Sequence, residues 1–584
     1  METSTPEGRR RSRRMRIALP ATAAAVAVAL AAFVLAQVAG AAPAVPEPTV
    51  TPPGYTTLAS GELERRVAGA VAGDDTAGPE TPEASESSPA RTRSQDRAPG
   101  GTAPEGAAPW MAQLWYHDDR GTPATSDDLG FFCSGAVVAP TKILTAAHCV
   151  KGYNWYAFGA VVTGTAERAT APSGRADLHG GTASLPLRQY YDPSYSPDTF
   201  DNDIAVLTLD APVRAEPIRL TTATETAAYR PGTPAEVYGW GRATGSAAGK
   251  AAAALRTDTL PLRSDAGCAE RYGDAFVADH MVCTGGTAQG DPGAPLVVGD
   301  RVVGVVSGAG HNRLFTKVRK YIGTVRPRID DANFSRDHRA DLFARRSPDG
   351  TGFFKASKGS TFDPRDEAGN WGAVDLVVQT DLDRDGFEDV VWRRHSDGDV
   401  HWAHYVPAAG AWRTTRIAEG WSSRTQIVTP GDVTGDDLPD LLSVDASGVL
   451  WIYPGKGDGT FAPRVRSGSG WNAYDLVLGH GDFTDDGRAD LITRGDGDGR
   501  VSVHQGTGEA GPHAFADPVE VRTWKDYDLL DAVGDVNGDS RADLLARGRD
   551  GTLYLYKGTG RASSEIFETR VPAAPDFDQY DLLG

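Results

Sequence analysis

The middle of the chain is a series of short apolar runs separated by turn residues. The runs are Trp110–Tyr116, Gly135–Val138, Ile204–Leu209, Ala235–Tyr238, Pro295–Val298 and Val302–Ser307. Many short strands at this spacing predict an all-β barrel or sandwich. A stretch with more helical character, Thr316–Ile329, follows the last run.

From about Asn333 the chain repeats a short Asp-rich phrase that precedes an apolar strand. The copies are Asn333–Leu342, Asp381–Val390, Asp432–Leu441, Asp482–Leu491 and Asp535–Leu544. Their period of about 50 residues matches one four-stranded blade of a β-propeller, so the repeats predict about five blades. A second phrase, Val or Tyr then Asp-Leu and Val or Leu, precedes several copies and recurs at the very end of the sequence. It occurs at Val374–Val377, Tyr474–Val477, Tyr527–Leu530 and Tyr580–Leu583. We expect this last strand to complete the first blade and close the ring.

The N-terminus has the pattern of a secretory signal. Arginines precede an apolar run over residues 17–38, and Ala39–Ala41 forms a small-x-small cleavage site. We interpret residues 1–42 as a signal peptide and expect a secreted protein. Because the run approaches spanning length, a permanent membrane anchor is the alternative. Ser12–Arg14 leaves twin-arginine export open.

Composition divides the rest of the chain. Residues 43–97 are rich in Pro, Ala, Glu, Ser, Thr and Gly and nearly lack large apolar side chains, so we predict a disordered propeptide or linker. The β-rich domain then covers residues 98–329 and the repeat domain residues 330–584. A formal net charge of -19 argues against nucleic acid or an anionic membrane as partner.

The chain has four cysteines, which are Cys133, Cys149, Cys268 and Cys283. An even number in an exported chain favours disulfide bonds. Counting alone leaves all three pairings open.

Six motifs of the β-rich domain occur in one order. They are Cys133–Gly135, Leu144–Cys149, Asp201–Leu207, Tyr238–Gly241, Gly304–Ser307 and Phe315–Val318. Together they resemble the motifs of trypsin-like serine proteases. The resemblance implies a chymotrypsin-like double β-barrel with disulfides Cys133–Cys149 and Cys268–Cys283.

The same resemblance assigns site residues. It makes His148 the general base and Asp203, directly before Ile-Ala, the carboxylate that orients it, although Asp201 competes for that role. Ser307 lies in the strand that pairs with a substrate backbone in the family. Gly286 stands where trypsins carry the Asp that binds Arg or Lys, so no cation-binding pocket floor is expected.

One residue departs from the family at the nucleophile. In Gly290–Pro295 the family has a serine where this chain has Pro292. Proline has neither a hydroxyl nor a backbone N–H, and the N–H of the nucleophile is one of two oxyanion-hole donors. Gly290 occupies the other oxyanion position. The new amino terminus that pairs with Asp291 in the family has only a weak match here, at Ala98–Gly101.

The Asp-rich phrases predict cation sites. In the clearest copy, Asp381–Asp389, oxygen-bearing side chains alternate around a Gly that allows a tight turn, an oxygen cage of the kind Ca²⁺ favours. The phrase resembles the calcium loops of FG-GAP/VCBS-type propeller repeats, and β-type runs flank it instead of the helices of an EF-hand. The predicted ligands are Asp381, Asp383, Asp385, Asp389, Asp432, Thr434, Asp436, Asp440, Asp482, Thr484, Asp486, Asp490, Asp535, Asn537, Asp539 and Asp543.

The first copy is degenerate. It has Asn333, Ser335, Asp337 and Asp341 at the ligand positions. For all copies the alternative is Asx-turn chemistry without a metal.

Two functions fit these patterns. The first is a catalytically inactive protease homologue that binds a peptide or protein in the barrel cleft, while its calcium-binding propeller docks a carbohydrate or protein surface. The alternative is an active serine endopeptidase with the propeller as a targeting module. Neither function calls for a nucleic-acid partner or a stable membrane anchor.

Overall fold

A computed structural model describes the chain from residue 58 onward, with gaps. The described ranges are 58–73, 101–104, 106–122, 128–222, 225–241, 253–285, 291–307, 314–329, 333–335, 339–363, 366–406, 409–539 and 541–584. The predicted signal peptide, Ala98–Gly100, Gly286, Gly290 and Asp337 lie outside these residues. None of the helices in the described ranges combines the length and apolarity needed to cross a bilayer.

Helix α1 (Ser60–Gly73) lies inside the segment predicted to be disordered, so that prediction is wrong for this stretch. Leu63, Val67 and Ala70 recur at helical spacing and are buried in the core of the first barrel. Composition averages over a window and misses such a narrow apolar stripe. Arg66 is also buried, and its guanidinium donates to the carbonyl of Gly159 at 2.9 Å.

The β-rich domain contains fifteen strands within the described ranges. They are β1 (Gly101–Thr102), β2 (Met111–Asp118), β3 (Leu129–Ala139), β4 (Lys142–Thr145), β5 (Gly159–Thr163), β6 (Thr182–Ser184), β7 (Pro186–Tyr191), β8 (Ala205–Leu209), β9 (Arg219–Leu220), β10 (Pro234–Gly239), β11 (Arg256–Pro261), β12 (Met281–Cys283), β13 (Pro295–Val298), β14 (Arg301–Ser307) and β15 (Leu314–Lys317).

These strands form two antiparallel sheets, one for each barrel. The first has the order β6-β5-β2-β3-β4-β8-β7, and the second β1-β11-β10-β13-β14-β15-β12 with β9 parallel to β14. Three helices accompany them: α2 (Trp155–Phe158), α3 (Asp265–Tyr272) and α4 (Val318–Ile329). The all-β double barrel predicted from the sequence is the observed fold.

Helix α4 starts two residues later than the predicted helical stretch, because Thr316 and Lys317 belong to β15. Val318, Ile322 and Val325 form its buried stripe against the barrel core. Its last turn carries arginines, which reach the repeat domain.

The repeat domain is a five-bladed β-propeller of four-stranded antiparallel sheets. Its strands are β16 (Leu342–Arg346), β17 (Thr351–Lys355), β18 (Asp366–Asn370), β19 (Val374–Thr380), β20 (Asp389–Arg394), β21 (Val400–Val406), β22 (Ala411–Ala418), β23 (Gln426–Gly431), β24 (Asp440–Val444), β25 (Val449–Tyr453), β26 (Val465–Ser469), β27 (Tyr474–Leu478), β28 (Leu491–Gly495), β29 (Arg500–His504), β30 (Val519–Thr523), β31 (Tyr527–Gly534), β32 (Asp543–Gly548), β33 (Leu553–Tyr556), β34 (Val571–Ala574) and β35 (Tyr580–Leu583).

The ring closes as the repeat pattern predicts. The first blade has the order β18-β17-β16-β35, so the last strand of the chain supplies its innermost strand. Leu583 pairs with Ala344, and Tyr580 pairs with Arg346. Tyr580 and Leu583 are buried in one cluster with Leu342, so closure is apolar as well as hydrogen-bonded.

Candidate functional site

His148 lies in a short 3₁₀ turn, Ala147–Cys149, directly after β4. The disulfide Cys133–Cys149 ties this turn to β3. The second disulfide joins Cys268 to Cys283, so both pairings implied by the family resemblance are present. The first disulfide fixes the backbone that positions the imidazole.

Asp203 meets His148 twice. One carboxylate oxygen accepts the backbone N–H of His148 at 2.8 Å, and the other lies 2.8 Å from Nδ1. Asp203 is fully buried and also accepts the hydroxyl of Ser307 at 2.6 Å. Such a carboxylate fixes the imidazole tautomer and would stabilise an imidazolium.

The competing carboxylate, Asp201, is used elsewhere. It lies 2.6 Å from Nδ1 of His280. Asn202, between the two aspartates, has a positive φ of 59°, which turns the neighbouring side chains in different directions. Sequence reasoning did not single out His280, because no motif marks it.

Pro292 lies in a tight turn beside the segment that leads to His148. Its carbonyl accepts the N–H of Ser134 at 2.8 Å, and the carbonyl of Ser134 accepts the hydroxyl of Thr145 at 2.8 Å. The turn depends on Gly293, whose φ is 79°. A β-carbon at Gly293 would collide with Thr145.

This arrangement contains a base and its orienting carboxylate but no hydroxyl at the nucleophile position. The hydrogen bonds that His148 makes within the described ranges use its backbone N–H and its Nδ1, not its Nε2. Pro292 can offer it no proton, and it has no N–H for an oxyanion. Ser307 does not replace the missing group, because its hydroxyl is directed to Asp203.

The carboxylate of Asp291 is buried and satisfied within the barrel. It accepts the N–H of Trp240 at 2.5 Å and the hydroxyl of Ser134 at 3.1 Å. Ala98–Gly100 of the predicted new terminus lie outside the described residues. The Cys133–Gly135 motif did not point to Ser134 in this role.

In the propeller, the four repeated loops that begin with Asp are each folded around that first carboxylate. In the loop Asp381–Asp389, Asp381 accepts the N–H of Asp385 at 3.0 Å and that of Gly386 at 2.8 Å. The closing carboxylate, Asp389, accepts the N–H of Leu382 at 3.0 Å. The corresponding first and last carboxylates of the next three loops accept equivalent backbone donors.

Two loops bring three carboxylates together. Ligand oxygens of Asp381, Asp383 and Asp385 lie within 4.8 Å of one another. The same holds for the loop at Asp482–Asp490, through its first, fifth and last residues. Oδ1 of Asp389 is buried and has no hydrogen-bond partner among the described residues. These groups fit a calcium ion, which prefers anionic oxygen ligands.

The loops hold this negative charge away from water. Burial, followed by neighbouring carboxylates, raises the pKa of Asp482 to about 7 and that of Asp440 to about 8. The same two causes raise the pKa of Asp381 and Asp389 well above the ordinary range. A bound cation would remove the mutual repulsion.

The remaining loops satisfy more of their own groups. In the first, Ser335 donates its hydroxyl to Asn333 at 3.3 Å and to Asp341 at 3.2 Å. In the fifth, the amide nitrogen of Asn537 lies 3.0 Å from the closing carboxylate of Asp543. Hydrogen bonds inside these loops replace part of what a metal would supply.

The barrel contacts the propeller through the third and fifth Asp loops. Arg326 of α4 lies 2.7 Å from a carboxylate oxygen of Asp437, and Arg328 lies 3.2 Å from one of Asp535. Arg219 of β9 also reaches Asp437, at 3.2 Å. Sequence reasoning missed these arginines, because their partners are remote in the chain.

Comparison with known proteins agrees with this architecture. Residues 98–324 match the family model described as Trypsin, and residues 381–443 and 432–493 match the model described as FG-GAP-like repeat. A trypsin of Saccharopolyspora erythraea is 36% identical over 184 residues, which cover 30% of this chain and 74% of that protein. A brachyurin of Leptuca pugilator is 31% identical over 215 residues, which cover 34% of this chain and 86% of that protein.

A solved structure, that of a scabies mite inactivated protease paralogue, aligns with 40% of this chain and 97% of its own, at 22% identity and a TM-score of 0.33. The residues that match the Trypsin model include His148 and Asp203. The chain belongs to the trypsin family, with its trypsin domain joined to a five-bladed propeller of FG-GAP-like repeats.

Proposed function

We propose that the protein is a secreted trypsin homologue without peptidase activity, which binds a peptide or protein in its barrel cleft. Its propeller would hold calcium and dock an external ligand. The observation that carries the loss of activity is Pro292, which lies in the nucleophile turn beside the His148 segment.

Loss of activity follows from atoms that Pro292 does not have. Acyl transfer needs an attacking oxygen, and His148 has no hydroxyl at this position to activate. An oxyanion at this position would also lose one of its two backbone donors, and losing one donor alone typically lowers the rate by about 10²–10³-fold. The two losses act on the same step, so the retained His148–Asp203 pair cannot compensate.

A fluorophosphonate probe tests this directly, because it labels only an activated serine. We expect no labelling of the purified chain and no cleavage of general peptide substrates, with an active trypsin as positive control. Stoichiometric labelling of the chain would overturn the proposal. Pro292→Ser restores the hydroxyl, and Pro292→Ser combined with His148→Ala shows whether any activity gained depends on the base.

The alternative function is an active endopeptidase with a propeller targeting module. One observation favours it, namely the hydrogen bonds that join His148 and Ser307 to Asp203. A protein without selection for catalysis does not need this geometry. Cleavage by the natural chain that is lost in His148→Ala would establish the alternative, and the fluorophosphonate result would then identify the nucleophile.

The same hydrogen bonding is compatible with a binding cleft. Asp203 and Ser307 are buried and also hold β8 and β14 together, so they can be retained for stability alone. We propose that a peptide or protein occupies the cleft without being cut. Peptide-array binding to the natural chain, compared with a variant carrying Phe200→Ala beside the His148 ring, tests this. Equal peptide binding by the natural chain and the variant would argue against the cleft as the binding site.

Calcium is proposed for the loops whose carboxylates converge, Asp381–Asp389 and Asp482–Asp490. The support is the clusters of partly or fully buried carboxylates and the unsatisfied oxygen of Asp389. A cation that binds only the folded state stabilises it by mass action. We expect a chelator to lower the melting temperature of the full chain and calcium to restore it.

Metal analysis gives the finer test. Asp385→Ala should remove about one calcium per chain, whereas Ser335→Ala in the self-satisfied first loop should remove none. If the natural chain carried no calcium after equilibration and its melting ignored chelator, the Asp residues would serve as turn formers only.

An external partner of the propeller would use a surface that the barrel leaves open. The Asp-loop end contacts the barrel through Arg326 and Arg328, so we place a carbohydrate or protein ligand elsewhere on the blades. Secretion is proposed from the signal sequence of residues 1–42 and from the two disulfides. N-terminal sequencing of protein from culture medium tests export and the cleavage site together.

A further inference from the structure

Five equivalent positions on the innermost strands surround one small cavity of the propeller. The residues are Val378, Val428, Leu478, Asp531 and Gly584. Each pairs with the same position of the next strand in its blade, through Val378–Val391, Val428–Leu442, Leu478–Ile492, Asp531–Leu545 and Gly584–Phe343. Three of the five side chains are aliphatic, as expected for an interior ring, and one position is glycine.

Asp531 is the exception in this ring. Its Oδ1 accepts the N–H of the adjacent Ala532 at 2.9 Å. Its Oδ2 is buried and has no hydrogen-bond partner among the described residues. Burial raises the pKa of this carboxyl to about 7. A buried carboxylate with an unsatisfied oxygen is costly unless another group compensates it.

A second unsatisfied oxygen lines the same cavity. Gln379, next to Val378, is 3% exposed. Its Nε2 donates to the carbonyls of Asp341, at 2.9 Å, and Gly584. Two carbonyl acceptors fix the amide, because a flipped amide would place oxygen against oxygen. Oε1 therefore has a set direction, and it has no hydrogen-bond partner among the described residues.

The cavity thus presents a carboxylate oxygen and an amide oxygen, with Val378, Val428 and Leu478 around them. Thr429 and His480 also line it, and the hydroxyl of Thr429 donates to the carbonyl of Gln379 at 3.1 Å. The carboxylate and amide oxygens are both acceptors, so an occupant must be a donor or a cation. The cavity volume of about 30 Å³ admits a single small species. Water can donate to both oxygens but leaves the charge of Asp531 uncompensated in an apolar ring, whereas a cation satisfies both requirements.

One carboxylate balances one positive charge. A divalent ion would leave a net charge in the interior, and the calcium loops collect three carboxylates where this cavity has one. We propose that the cavity inside the propeller binds a monovalent metal cation through Oδ2 of Asp531 and Oε1 of Gln379. This site is separate from the calcium loops and does not depend on their occupancy.

Rubidium tests the proposal by anomalous diffraction, because it is a monovalent metal cation that scatters strongly. Crystals of the full chain grown with calcium and soaked in rubidium chloride should show an anomalous peak between Asp531 and Gln379. The isosteric Asp531→Asn removes the charge and should lose the peak. Absence of the peak in the natural chain, or its persistence in Asp531→Asn, would overturn the proposal.

Melting in solution gives a second readout. At constant calcium and about 0.15 M ionic strength, the natural chain should melt a few degrees higher in potassium or sodium chloride than in choline chloride. Asp531→Asn should abolish this difference, whereas Leu478→Asn, a polar change in the same ring, should keep it. Equal melting of the natural chain in all three salts would show that the cavity holds only water.

Discussion

Asp437 lies at the centre of the contact between barrel and propeller, and its removal gives the sharpest stability prediction. Its carboxylate lies 2.7 Å from Arg326, 3.2 Å from Arg219 and 3.9 Å from Arg301. These arginines belong to α4, β9 and β14, so one side chain joins three elements of the barrel. Asp437→Asn removes the charge and keeps the shape. The substitution also fits the backbone, because Asn readily adopts the positive φ of 67° found at this position.

The size of the destabilisation expected for Asp437→Asn follows from the burial of the ion pair. The side chain of Asp437 is 10% exposed and that of Arg326 is 12% exposed, so neither group regains much hydration when the other is neutralised. Removing one partner of a buried ion pair typically costs about 3–5 kcal/mol. Partial exposure of Arg219 lowers this cost. We expect Asp437→Asn to weaken the contact between the domains by about 3 kcal/mol.

Differential scanning calorimetry measures the effect. The natural chain should melt with barrel and propeller coupled, and Asp437→Asn should separate two transitions or lower the first by several degrees. Asp349→Asn, which breaks an exposed pair with Arg346, is the matched control and should leave the melting unchanged. A single transition for Asp437→Asn within about 1 °C of the natural chain would refute the reasoning.

The difference in stability between the natural chain and Asp437→Asn should depend on pH with a definite sign. Burial raises the pKa of Asp437, but Arg326 and the other arginines lower it further, so its net pKa lies below the ordinary value. A depressed carboxyl pKa contributes stability above the unfolded pKa of about 4, and this is lost as pH falls through the folded value. The gap between the natural chain and Asp437→Asn should therefore be constant at neutral pH and shrink in acid below about pH 4.

Three further predictions concern single positions. Burial lowers the pKa of His504 to about 4, so on acidification the unfolded state gains a proton before the folded state does. The free energy of unfolding should therefore fall by about 3 kcal/mol between pH 6.5 and 4. His504→Gln should flatten this part of the pH profile measured by urea unfolding. Leu63→Ala should destabilise the barrel by about 3 kcal/mol in urea unfolding, whereas Arg65→Ala on the exposed face of α1 should have little effect. Gly293→Ala should reduce the yield of folded protein strongly, because its β-carbon meets Thr145 at a positive φ; a stable, well-expressed variant would show that the nucleophile turn can shift.

Features that depend on local spacing were readable from the sequence. The Asp-rich phrases marked the turn before the second strand of each blade, and the recurrence at Tyr580–Leu583 predicted the strand that closes the ring. Such patterns are readable because blade repeats bury the same positions in every copy. Pro292 was equally plain, because a missing hydroxyl and N–H are properties of the residue itself.

Helix α1 shows where local reasoning failed. Its segment has too few apolar residues to fold alone, and only the barrel surface gives Leu63 and Val67 something to pack against. The assignment of the two aspartates near His148 was similarly open by sequence position, and tertiary packing directs Asp203 to His148 and Asp201 to His280.

The sequence by itself predicted two domains and about five blades, and it determined the absence of a serine at the nucleophile position. Tertiary structure alone decided that Arg219 meets Asp437, 218 positions away, and that Asp531 and Gln379 line one cavity. The physical reason is that periodicity reports which face of an element is buried, whereas the partner of a buried charge depends on how separate elements pack together.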